Sequence, residues 1–88
     1  MSQEKQREIA RLESELNCLK REREVLDNEC ERRRCQLTDQ MKMSTTAERS
    51  LSFVNQILHL NNEHFRNKEI INRRIYETRQ AYFKKLQE

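Results

Sequence analysis

Glycine, proline and tryptophan are all absent from this chain of 88 residues. Average usage would supply about six glycines and about four prolines at this length. Without glycine there is no low-cost residue for positive φ, and without proline no pre-set turn corner. Phosphate loops, oxyanion-type glycine turns and Asn-Gly β-hairpins therefore lose their usual parts. Apolar runs are only a few residues long, so nothing approaches a membrane span or a signal-peptide core. Hydrophobic residues make up 34% and charged residues 38%, a balance too polar for a compact core of this size. The three cysteines, Cys18, Cys30 and Cys35, are odd in number and include no Cys-x-x-Cys pair. That excludes a disulfide framework and a zinc pattern, and a reducing intracellular compartment is the natural setting.

What the chain does have is a period. With Ile9 at heptad position a, the apolar a residues are Ile9, Leu16, Cys30, Leu37, Leu51, Leu58, Phe65 and Leu86. The apolar d residues are Leu12, Leu19, Leu26, Ala47, Val54, Ile75 and Tyr82. A seam of period 3.5 held without a stutter is the signature of a coiled coil. The expected fold is all-α, a single coiled-coil segment over 1–88 built on a long, mostly continuous helix. The rival is an antiparallel helical hairpin or bundle with a break near 43–46. Ser44-Thr45-Thr46 has modest helix propensity there, and Thr45-Thr46-Ala47-Glu48 fits a capping box. The unbroken register, and the lack of glycine or proline where the chain would reverse, favour the continuous helix.

Strand orientation is less sharply written. A parallel dimer stacks Arg23, Arg33, Lys68 and Arg79 on their own copies. An antiparallel arrangement puts Leu16 near Ile75 and Leu37 near Val54, but also Arg23 near Lys68. The parallel homodimer is the favoured reading.

The two halves differ. Residues 1–43 carry ten basic and ten acidic side chains and a narrow a/d seam flanked by glutamates. Residues 44–88 carry eight basic and five acidic side chains and a wider apolar face. There Phe53, Ile57, Leu60, His64 and Ile71 run beside the seam, which is more than one neighbouring helix covers. They form the expected partner face, with 51–65 as its centre. The C-terminal third is basic: Arg66, Lys68, Arg73, Arg74, Arg79, Lys84 and Lys85 stand against Glu69 and Glu77. Such a patch suits an acidic partner, although basic residues near a helix C-terminus also complement the helix dipole.

Candidates for chemistry are few. Arg32-Arg33-Arg34 is interleaved with acids, unlike a DNA-reading basic helix. His59 and His64 are five apart, off the i, i+4 spacing that puts two imidazoles on one face. Cys30 at a reads as a small apolar seam residue. Asn61 at d and Asn72 at a are polar seam positions of the kind that fix register. No catalytic, cofactor or metal residues emerge, and no paired groups form a concave site.

The function expected from these features is non-enzymatic. The chain reads as an oligomerisation or scaffold segment of a larger cytoskeletal, centrosomal, ciliary or motor-associated protein. Its partners would be itself, as homodimer or higher oligomer, and another protein. The cytoplasm or cytoskeleton is the favoured location, with the nucleus as alternative. Two competing readings are a nucleic-acid or chromosome-associated module using 66–85, and a cargo- or adaptor-docking coiled coil using 51–65.

Overall fold

The computed structural model describes residues 2–88. They hold two helices, α1 (Ser2–Lys42) and α2 (Ala47–Gln87), and no strand. The all-α expectation holds, and of its two architectures the structure has the one with the break. The chain leaves the helix at Met43 and re-enters it at Ala47.

The reversal is made without any positive-φ residue among those described. Met43 N–H still donates to Asp39 O at 3.2 Å, and Ser44 N–H tightens the end with a bond to Met41 O at 3.1 Å. Thr46 then caps α2, its Oγ1 accepting from Arg49 N–H at 3.2 Å. The cap is thus Thr46, one residue later than the Thr45–Glu48 box expects. Glu48 lies in the first turn of α2, where its charge suits the helix dipole.

The structure divides into two compact units. The terminal unit joins Met1–Glu24 with Glu69–Glu88, and the turn unit is Val25–Lys68. In the terminal unit the paired segments are antiparallel. Tyr82 Oη donates to Glu13 at 2.8 Å, and Arg23 Nη1 donates to Asn72 Oδ1 at 3.0 Å, so rising numbers on α1 meet falling numbers on α2. Its core is Leu16, Leu19 and Ile75, with Ile71 and Tyr82 packed against it. The expected meeting of Leu16 with Ile75 is therefore present.

The turn unit is antiparallel as well, with Asp27 beside His64 and Lys68 and Arg34 beside Asn61. Arg23 and Lys68, set near one another in the antiparallel reading, are both satisfied within their own units. Each has another partner, Asn72 for Arg23 and Asp27 for Lys68. Reversal is entropically favourable for such a sequence, because closing a short loop costs far less than recruiting a second chain.

Candidate functional site

On α1 the seam read from the sequence faces α2. Leu12, Leu16, Leu19, Cys30 and Leu37 are buried, and Ile9 and Leu26 are half-buried. On α2 the two apolar stripes have exchanged parts. The stripe expected to await a partner, Phe53, Ile57, Leu60, His64 and Ile71, is half-buried instead, in line with Ile75, Thr78 and Tyr82. The a/d residues Leu51, Val54, Leu58 and Phe65 stay exposed, at 61%, 39%, 56% and 65%. Ala47 and Leu86 are exposed too. The physical reason is polar satisfaction. The polar members of the packed stripe, Asn61, His64 and Lys68, all find partners on α1 in Arg34 and Asp27, whereas the a stripe runs into the exposed Arg79.

Polar groups fix the register of each unit. In the turn unit Arg34 donates through Nε and Nη2 to Asn61 Oδ1, at 3.1 and 2.8 Å. The same guanidinium holds Glu31 at 2.7 Å and reaches Cys30 Sγ at 3.5 Å. Asp27 Oδ1 accepts from His64 Nε2 at 2.9 Å and from Lys68 Nζ at 3.1 Å. His64 Nδ1 is buried without a hydrogen-bond partner among the described residues. In the terminal unit Asn72 takes the Arg23 bond already described. Both seam asparagines thus accept from an α1 arginine, which one helical slip would break.

The Lys68 hydrogen bond and charge, seconded by His64, hold the Asp27 carboxyl below its ordinary range. A depressed carboxylate stabilises the fold above the unfolded value, about 3.9, and that contribution is lost as pH falls through the folded value. Asp27→Asn is therefore expected to flatten part of the fall in melting temperature below about pH 4, read by circular dichroism across an acid titration. A mutant curve parallel to the wild type would mean that the bridge contributes nothing in solution.

The groups read for chemistry do not converge. The Cys30 thiol is buried under Arg34, while Cys18 and Cys35 are exposed and far from the histidines in the chain. His59 pairs with Glu63 at 3.1 Å on the surface. Among the described residues no group of three or more His, Cys, Asp or Glu could hold a metal ion. No described helix is long and apolar enough to cross a membrane.

The basic third is divided between the units. Lys68, in the turn unit, is taken by Asp27, and Arg66 is exposed. In the terminal unit Arg73, Arg74, Arg79 and Lys84 are exposed, and Lys85 pairs with Glu88 at 3.1 Å. There they lie alongside the first 24 residues, which carry six acidic and six basic side chains.

The feature that distinguishes the turn unit is the outer strip of α2. Leu51, Val54, Leu58 and Phe65 lie in and beside the segment 50–62, which contains no Asp, Glu, Lys or Arg. At the chain's own frequency thirteen residues would carry about five such charges. An exposed apolar strip in a charge-free stretch is the profile of an interface core. The partner face expected at 51–65 is the half-buried stripe, and the exposed strip lies on another side of the helix. The missing charges from 50 to 62 were the signal that could have found the strip. No family model matches the sequence, and no curated protein or solved structure is significantly similar to it.

Proposed function

We propose that this chain is a non-catalytic protein-interaction element, a scaffold segment that presents α2 to another helix. The observation that carries the reading is the exposure of Leu51, Val54, Leu58 and Phe65 at heptad positions. Side chains spaced by seven and by three or four residues fit the grooves of an α-helix, and a soluble protein seldom leaves them in water without a use. The chemistry agrees with this role, since the buried Cys30 and the half-buried His64 are engaged by Arg34 and Asp27 in holding the helices together. Three unpaired cysteines suit a reducing cell interior. Within that setting we place the segment in a larger cytoskeletal, centrosomal, ciliary or motor-associated assembly.

The nucleic-acid reading draws less support. Its basic residues are interleaved with Glu69 and Glu77, and two of the seven are already ion-paired. A phosphate-binding element would present them free along one face.

The test compares tagged wild type with Leu51→Asp/Leu58→Asp by quantitative co-purification from cells. Both leucines are exposed, so the variant is expected to keep its helicity and lose the proteins held through the strip. The same proteins recovered at the same levels with both would refute the reading. Binding that persists and weakens steeply with salt would favour the basic residues instead.

A further inference from the structure

We infer that the occupant of the outer strip is a second copy of the same chain, docked antiparallel through residues 48–66 of α2. The inference rests on the interaction reading above and adds the identity and orientation of the partner. The first argument is the spacing. Leu51, Leu58 and Phe65 are seven residues apart, so the strip is symmetric about Leu58. A two-fold axis there sets Leu58 against its own copy and Leu51 against the partner's Phe65. Such an isologous contact makes one patch serve both sides.

The second argument is charge. The uncharged stretch 50–62 lets two identical surfaces meet without like-charge repulsion or an unpaired desolvated ion. Glu48 and Arg66 stand on either side of it. They are eighteen residues apart, five turns at 3.6 residues per turn, so they project from the same side of α2. Neither makes an ion pair within its own chain among the described residues, and both are exposed. With the axis at Leu58, Glu48 falls two residues, about 3 Å along the helix, from the level of the partner's Arg66, within reach of an ion pair, and the symmetry gives that pairing twice. A parallel pair would leave Glu48 about 27 Å along the axis from the partner's Arg66, with neither charge matched. Sign and spacing together therefore select the second copy and its direction.

The contact spans about 27 Å of helix, well short of a standard-size interface. A dissociation constant of about 10 μM is the expected strength. Sedimentation equilibrium of the full chain under reducing conditions reads it. Arg66→Glu is expected to weaken the dimer about tenfold, by turning two attractions into two repulsions. Glu48→Arg should do the same, and the double swap Glu48→Arg/Arg66→Glu should restore affinity to within about threefold. Leu58→Asp should leave a monomer of unchanged helicity, because Leu58 is 56% exposed in the hairpin.

A wild type still monomeric at about 500 μM would overturn the second copy. The broader interaction reading would then stand or fall on the co-purification test alone. A dimer untouched by Leu58→Asp would place self-association on another face and overturn the proposal. A dimer lost in both single swaps and not restored by the double would overturn the antiparallel direction.

Discussion

Replacing Leu19 by Asp is expected to abolish the pairing of the terminal unit, while Arg21→Asp, two residues away, changes little. Leu19 is 2% exposed and packs with Leu16 and Ile75. Truncating such a leucine costs about 3 kcal/mol in lost transfer and cavity terms. A carboxylate buried there adds a desolvation cost of about 1–3 kcal/mol. A small two-helix fold has a total stability of only about 5 kcal/mol, so the substitution consumes most of it. Arg21 is exposed, and its one hydrogen bond is a long intrahelical contact with Asn17 O at 3.5 Å. Exposed changes of this kind stay within about 0.5 kcal/mol. Urea unfolding followed by circular dichroism measures both. Matching midpoints for the two variants would mean that Leu19 is not in a seam at all.

That contrast also marks what the sequence made legible. On α1 only one stripe is apolar, so period 3.5 alone identifies Ile9, Leu12, Leu16, Leu19 and Leu26 as the buried face. On α2 there are two apolar stripes, and periodicity cannot rank them. The choice is made by the antiparallel neighbour, whose Asp27 and Arg34 satisfy the polar members of one stripe, a condition visible only once the chain is known to reverse. The heptad register that carried on through the turn was real as a pattern. Its α2 portion is split: Leu51, Val54, Leu58 and Phe65 are exposed, while Ile75 and Tyr82 belong to the packed core of the terminal unit.

The polar contacts were hidden for a related reason. Asp27 and His64 are far apart in the sequence and meet only because the helices are antiparallel. Asn61 and Asn72 were recognised as polar seam positions, and their partners were arginines on the other half of the same chain. Arg23, which a parallel dimer would have stacked on its copy, is given an acceptor by Asn72. A seam that looks poor for one topology is satisfied by the other.

Ser44, Thr45 and Thr46 are the only residues between Met43 and α2, and nothing among them requires a positive φ. They hold the turn by weak means: modest helix propensity, a Ser44 Oγ bond to Thr46 O at 3.2 Å, and the Thr46 cap. Changing all three to Ala favours helix by about 1.5 kcal/mol through propensity and removes about 1 kcal/mol of capping. Some 2–3 kcal/mol then moves toward one continuous helix. A continuous helix cannot pair Leu16 with Ile75 of its own chain, so it must take that seam from a second molecule, as a swapped dimer. The triple variant, carried in a Leu58→Asp background to remove contacts through the outer strip, is therefore expected to dimerise when refolded at high concentration. Its amides at 43–46 should become protected from hydrogen exchange, while those of the hairpin exchange freely. A variant that stays monomeric, with turn amides as open as in the wild type, would show that antiparallel packing alone sets the reversal and that the capped turn follows from it.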